Sequence, residues 1–367
     1  MKEGWTYKKL GEVFRTYAGG TPSKSNKANY ENGTIPWIRS GEVCRKYITE
    51  SELYISEEGL RNSSAKYYPI NTVLVAMYGA TAAQCGILKF EATSNQAVCG
   101  ILPQDDFSPE FVYAYFTYIK DYLAAQAQGG AQPNISQEKI KKILFPCIQL
   151  SEQQHIVSRL DTAFAQIDAL KANADKQLSE ARQLLQAELT ECIRPKEGWE
   201  KKTLGDIVKI THGKNQKEVQ SPDGSYPIYG SGGTIMGYAT DFLCEANTTI
   251  LGRKGSINNP QFITERFWNV DTAFGISPRD NNNSKFIYYF ITSIDWNKKN
   301  TGTTLPSLTQ LVVSSVPISV PPVDVQSQIV SRLDSLSTRI KQLEDVQRKT
   351  MAECDALKQA MLREVFE

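Results

Sequence analysis

The sequence predicts an α+β protein in which two similar globular domains are joined by two long helices forming an antiparallel coiled coil, with pseudo-two-fold symmetry between the halves. The first observation is an internal repeat. Lys2-Glu3-Gly4-Trp5 with Leu10-Gly11-Glu12 returns 194 residues later as Lys196-Glu197-Gly198-Trp199 with Leu204-Gly205-Asp206. Ile156-Val157-Ser158-Arg159-Leu160-Asp161 returns after 173 as Ile329-Val330-Ser331-Arg332-Leu333-Asp334. A repeat this long is not a solenoid unit, so each copy is a whole domain with the connector that follows it. The second observation is helical periodicity in both connectors, and the third is that short apolar runs inside the domains end at Gly, Asn and Pro.

In chain order the elements are a first domain (1–150), a first helix (151–195), a second domain (196–323) and a second helix (324–367). In the domains, residues 72–76 and 248–251 read as strands running into Gly79 and Gly255, and 97–101 and 273–276 as the strands that follow. Residues 109–122 and 285–294 carry helical patterns. The first connector places Ile156, Leu160, Phe164, Ile167, Leu170, Ala174, Leu178, Ala181, Leu185, Leu189 and Cys192 on one stripe. The second places Ile329, Leu333, Leu336, Ile340, Leu343, Cys354, Leu357 and Met361 there. Ser151 with Gln154 has capping-box spacing, Asp324 stands at the equivalent place, and Pro195 supplies the stop. At ~1.5 Å per residue such helices are ~60 Å long. Packing the two stripes on each other is the economical arrangement; folding each helix back on its own domain is the alternative. Asn134 with Gln137, and Ser307 with Gln310, show the same capping spacing at a loop entering a short helix.

Composition narrows the function. Net charge is +1; residues 1–150 carry 16 basic and 14 acidic side chains and 196–323 carry 13 and 11, while 151–195 carry 5 and 7 and 324–367 carry 7 and 8. A basic stripe on either domain would be hidden in such sums. The seven cysteines form no Cys-x-x-Cys pair, which points to a reducing compartment rather than a disulfide framework. Met1-Lys2-Glu3-Gly4-Trp5 does not open a signal peptide and no apolar run is long enough for a membrane span, so a soluble cytoplasmic protein is expected.

Bond chemistry finds no inventory. The two histidines, His155 and His212, have no Cys or carboxylate at metal spacing, and no phosphate-binding loop is present, so neither catalytic residues nor a metal or cofactor is expected in this chain. Asn259-Pro260-Gln261-Phe262 lacks the second proline of an amino-methyltransferase signature, and no Glu-x-Lys follows Pro222-Asp223 as a nuclease would require. Polar, glycine-containing loops recur instead. In the first domain they present Thr21, Ser23, Lys24, Asn26 and Lys27, then Arg39, Tyr78, Thr81 and Gln132. In the second they present Lys214, Asn215, Gln216 and Lys217, then Ser231, Arg253, Lys254, Ser256, Asn258 and Thr303. Glycines let backbone approach phosphates, Arg can grip a guanine edge and Asn or Gln an adenine edge, which makes these nineteen residues the candidate DNA contacts.

Together these residues resemble the specificity subunit of type I restriction-modification systems. The marks are Gly-Trp followed by Leu-Gly-Glu, Gly19-Gly20-Thr21-Pro22-Ser23-Lys24, the turn containing Gln132-Pro133-Asn134-Ile135-Ser136, Phe145-Pro146 leading to Ser151-Glu152-Gln153-Gln154-His155-Ile156-Val157, and Gly252-Arg253-Lys254-Gly255-Ser256. The resemblance implies two target recognition domains, each reading half of a bipartite double-stranded DNA site, with the helices as spacer. It also implies two methyltransferase subunits using S-adenosylmethionine, restriction/translocase subunits using ATP and Mg, and a place in prokaryotic antiphage defence near the nucleoid. Leu305-Pro306-Ser307 stands where the first copy has Gln132-Pro133-Asn134, and Arg253-Lys254 where it has Met77-Tyr78, so the halves are expected to read different sequences. A non-catalytic protein-interaction scaffold, or the separated specificity part of a fused methylase-restriction enzyme, are the other readings; Met1 lying just before the first repeat is expected to exclude a truncated start.

Overall fold

A computed structural model describes residues 2–126 and 134–367. The chain forms two compact units, Met1–Ala172 with Lys349–Glu367, and Asn173–Arg348. Both are α+β, and each contains one end of both long helices, Leu150–Cys192 and Val323–Phe366.

In the first unit a five-stranded sheet runs in the order Thr16–Ala18, Val98–Ile101, Val73–Ala76, Cys85–Leu88, Tyr47–Ile48, antiparallel except for its last pair. A smaller sheet sets Ile35–Ile38 between Tyr54–Ile55 and Thr93–Ser94. Strand Thr6–Lys9 pairs with Leu144–Cys147, closing the domain's start on its end. Helix Pro109–Tyr118 follows; Ser108 caps it and Pro109 opens its first turn, where the missing N–H costs nothing. The expected helix over 109–122 is interrupted at Ile119, and Lys120–Ala125 forms a separate turn.

The second unit repeats the plan. Val208–His212, Ala273–Pro278, Thr248–Gly252 and Gln261–Ile263 form an antiparallel sheet. Tyr226–Tyr229 lies between Ile235–Ala239 and Trp268–Asn269, and Glu200–Thr203 pairs with Pro317–Val320. Registers align the copies: Ile38 pairs with Ser94 as Tyr229 pairs with Asn269. Most of the length difference therefore falls between residues 38 and 73, where the first unit adds Tyr47–Ile48 and helix Glu57–Arg61, while Tyr54–Ile55 takes the place that Ile235–Ala239 holds in the second unit.

The long helices pack antiparallel within each unit and also enter the domain cores. Ile156, Leu160, Leu362, Val365 and Phe366 join Phe111, Phe116 and Phe145 in one buried cluster. Leu189, Cys192, Ile329, Val330 and Leu333 join Phe274, Phe286 and Trp296 in the other. Both sequence alternatives are thus partly realised, because one helical face meets its partner helix and a neighbouring face meets the domain. Lys358 reaches Asp168 at 2.5 Å in the first unit, and Arg182 reaches Glu344 at 2.7 Å and Arg332 reaches Glu188 at 2.5 Å in the second. Exposed pairs like these add at most about 1 kcal/mol each, so they favour one helix register while burial supplies the stability.

Four expected caps are displaced. Leu150 already begins the first long helix, placing Ser151 inside its first turn, and Val323 does the same to Asp324. Ser136, not Asn134, caps Gln137–Lys141, and Thr309, not Ser307, caps Gln310–Ser314. The residue directly before each short helix has the extended backbone a cap needs.

Candidate nucleic-acid interface

In the first unit the loop leaving Thr16–Ala18 is clamped before it reaches solvent. Gly19 and Gly20 donate to the carbonyls of Val98 at 3.1 Å and Ser94 at 2.9 Å. A Cβ on Gly19 would stand 2.2 Å from the Ser94 oxygen, so the chain passes there only without side chains. The Trp37 indole donates to the Gly20 carbonyl at 2.9 Å. Asn29, buried, donates to the Ser23 carbonyl at 2.9 Å, and the Tyr30 hydroxyl donates to that of Pro22 at 2.6 Å.

This framework sorts the candidates. Asn26 accepts the Ala28 N–H at 3.1 Å and donates to Glu58 at 3.0 Å, and Ser23 bonds Ser25 at 2.8 Å, so both side chains serve the loop itself. Thr21, Lys24, Lys27 and Arg39 line one open cavity of about 610 Å³ with Tyr30, Trp37, Asn95 and Gln96. Arg39 is held there by Glu52 and by Glu42 at 3.7 Å. Tyr78 and Thr81 belong to the neighbouring loop, where Tyr78 bridges Asn134. Gln132 lies outside the described residues.

The second unit builds the same cluster with other side chains. A Cβ on Gly213 would meet the Val270 carbonyl at 1.8 Å, Lys214 donates its N–H to Asn269 at 3.0 Å, and the Trp268 indole donates to the Lys214 carbonyl at 3.0 Å. Trp37 lies on the central strand of its small sheet and Trp268 on the strand parallel to the central one, yet each ties down the same loop position in its own unit. Asn215 accepts the Lys217 N–H at 3.0 Å, and the Gln216 carbonyl accepts from Val219 and Gln220, leaving the Lys214 and Lys217 side chains outward.

Three further loops converge here. Lys254 bridges Ser307 as Tyr78 bridges Asn134, and Gly255, at φ +82°, donates to the Pro306 carbonyl at 2.9 Å. A Cβ on Gly255 would stand 3.9 Å from Ser231 Oγ, and one on Gly232 3.4 Å from Ser256 Oγ. Ser231, Arg253, Lys254 and Ser256 are therefore neighbours, with Thr303 exposed on the 301–307 loop. Asn258 is engaged elsewhere, accepting the Trp296 N–H at 2.7 Å.

In each unit one turn joins these loops. Thr21 donates to Gln96, and Met77 donates its N–H to the Ala97 carbonyl at 2.7 Å. Arg253 and Lys254 donate their N–H groups to the Thr272 carbonyl at 2.8 and 3.1 Å, and Arg253 Nη1 donates to the Asp271 carbonyl at 3.2 Å. Gln96, Asn95 and Asp271 were not among the sequence candidates. A single polar residue ahead of an apolar strand carries no periodic signal.

Among the described residues no group of His, Cys, Asp or Glu could hold a metal ion, and no helix is long and apolar enough to cross a membrane.

The family model for the type I restriction modification DNA specificity domain matches residues 2–180 and 196–351. The EcoR124I/EcoR124II specificity subunit of Escherichia coli is 34% identical over 167 residues, 44% of this chain and 41% of that one. The MjaIX specificity subunit of Methanocaldococcus jannaschii is 28% identical over 255 residues, 62% and 57% of the two chains. These alignments span about half of each relative's length, whereas the Escherichia coli EcoprrI specificity subunit, 24% identical, aligns over 92% of this chain and 89% of its own. In solved structures, a chain from work on complex assembly and conformational transition of the type I R-M system superposes with a TM-score of 0.84 at 18% identity, covering 100% of this chain and 98% of that one. The HsdS subunit of Thermoanaerobacter tengcongensis superposes at 0.59 and 17% identity, covering 100% and 97%. The repeated fold and the two matched segments place this chain in the family of type I restriction-modification DNA specificity subunits.

Proposed function

We propose that each unit is a target recognition domain reading one half of a bipartite double-stranded DNA site, and that the long helices set the unread gap and dock two methyltransferase subunits. The observation that carries this reading is the loop cluster built twice on one scaffold, with Tyr78 bridging Asn134 in one copy and Lys254 bridging Ser307 in the other. Equal frameworks with unequal side chains suit two half-sites of different sequence. Helices of 43 and 44 residues extend about 65 Å, enough to carry readers of half-sites one DNA turn, ~34 Å, apart. Their outer faces leave Leu170 and Leu357 in the first unit, and Leu184 and Val346 in the second, more than half exposed, which suits a partner surface.

In this reading the chain performs no bond chemistry. Adenine N6 methylation with S-adenosylmethionine, and DNA cleavage driven by ATP with Mg, belong to the methyltransferase and restriction/translocase subunits, and the complex works in the prokaryotic cytoplasm at the nucleoid. Methylation requires the target adenine to leave the stack for the partner's pocket. Sequencing that detects modified bases, applied to DNA from cells expressing this chain with its methyltransferase, tests the reading. Two short specified blocks around a fixed gap, with N6-methyladenine in each, are expected. A complex that forms and leaves no modified adenine would overturn it in favour of an interaction scaffold.

A further inference from the structure

We propose that Gln96 in the first unit and Asp271 in the second are base-reading side chains, Gln96 for an adenine edge and Asp271 for a cytosine edge. This rests on the reading of each unit as a half-site reader. The register that pairs Ile38 with Ser94 and Tyr229 with Asn269 makes the two residues equivalent, each two positions beyond its strand pair. Both are exposed, and both sit on the turn to which the other candidate loops are bonded.

Their chemistry differs in an informative way. Thr21 donates to Gln96 Oε1 and so orients the carboxamide, leaving one acceptor lone pair and two N–H donors outward. That acceptor–donor pair complements adenine N6–H and N7. Lys24, Lys27 and Arg39 stand around the same cavity, where phosphates would lie. Asp271 is acceptor-only and makes no ion pair among the described residues, although Arg253 and Lys254 are bonded to its turn. A carboxylate on a phosphate-facing surface is repelled by DNA except where a base presents a donor, and the major-groove donor of cytosine is its N4 amino group.

Selection of duplexes from a random-sequence pool by the full-length chain, followed by affinity measurement on single-base variants, tests the assignment. Gln96→Ala is expected to lose preference at one adenine position in one block, with about tenfold weaker binding to the parental duplex and the other block unchanged. Thr21→Val should weaken preference at that same position, since Thr21 acts by orienting Gln96. Asp271→Asn should exchange cytosine for adenine at one position of the other block. Variants that enrich the parental sequence, or that lose affinity equally for every sequence, overturn the proposal. A parental chain that enriches nothing overturns the half-site reading itself.

Discussion

Gln153 accepts the Ser108 backbone N–H through Oε1 at 2.9 Å and donates from Nε2 to the carbonyls of Asp106 and Ile148, also at 2.9 Å. Gln326 plays the same part in the second unit, accepting the Asn283 N–H at 2.8 Å and donating to the Pro321 carbonyl and to the Asn282 side-chain Oδ1, both at 3.0 Å. Both are essentially fully buried. A carboxamide in an apolar wall is tolerated only when its polar sites are filled, and here they fasten the first turn of a long helix to the cap of a domain helix. Gln153→Leu or Gln326→Leu strands the facing backbone groups and should cost about 3 kcal/mol. Urea unfolding of each variant checks this; an unchanged midpoint would mean that water replaces the amide without loss.

The repeat and the long helices were legible because period and recurrence average over many residues, so no single side chain decides them. Strands around Val73 and Thr249 were legible for the same reason. The caps were not: Ser151, Asn134 and Ser307 all have suitable spacing to a glutamine, and the choice between them and Ser136 or Thr309 depends on which residue is extended where the helix begins. Gln153 reads as any surface helix glutamine until the fold buries it. The candidate site was legible as loops but not as side chains. Asn26, Asn215 and Asn258 each give their side-chain oxygen to a backbone N–H, whereas Gln96 and Asp271 become visible only when strand register superposes the two copies.

Thr249 Oγ1 is buried without a hydrogen-bond partner in strand Thr248–Gly252. The equivalent strand of the first unit has Val73. Thr249→Val keeps the shape and removes the unpaired hydroxyl, so a gain of about 1 kcal/mol is expected, seen as a higher denaturation midpoint. A loss would show that the hydroxyl is satisfied by water.

Tyr289 donates to Asp334 at 2.6 Å, beside the ion pair from Lys285 to the same carboxylate. The first unit has Ala114 and Asp161 at these repeat positions, and Lys46 holds the carboxylate. Phe164 there stands where the second unit has Ser337, so the aromatic ring has moved from the domain helix to the long helix. Tyr289→Ala should cost about 3 kcal/mol by leaving a cavity. Ser337→Phe should also destabilise when Tyr289 is present, by overpacking. Combined, the two changes should recover at least half of the loss, and a double-mutant cycle reads that coupling. Simple additivity would mean that the two positions do not share one space.

Burial pushes the thiols of Cys85, Cys99 and Cys244 up to about 12, and burial with the Glu188 carboxylate pushes Cys192 up to about 11. Their folded values lie above the ordinary 9.0. Below pH 9 both states hold the proton and stability is unaffected; above it the unfolded chain releases protons that the folded chain keeps, so stability falls as pH rises from about 9 towards 12. Denaturation midpoints across this window should decline. At neutral pH iodoacetamide should label the exposed Cys44 first. Rapid labelling of Cys85 or Cys244 in the folded chain would contradict the packing around them.

Lys254 combines a backbone fixed by Thr272 and Ser307 with an exposed ammonium, next to a glycine whose positive φ admits a close approach. That arrangement suits a phosphate contact rather than a base contact, because an ammonium on a flexible stem carries charge without fixed direction. Lys254→Ala should therefore weaken binding to all duplexes alike, leave the preferred sequence unchanged and make the log-log salt dependence shallower by about 0.9. Arg253, whose guanidinium is already turned onto the Asp271 carbonyl, should behave differently: Arg253→Ala should weaken binding and also blur preference at the position assigned to Asp271, because it loosens the turn that presents the carboxylate. Binding isotherms at several salt concentrations separate the two effects, and an unchanged salt slope in Lys254→Ala would take this loop away from the DNA backbone.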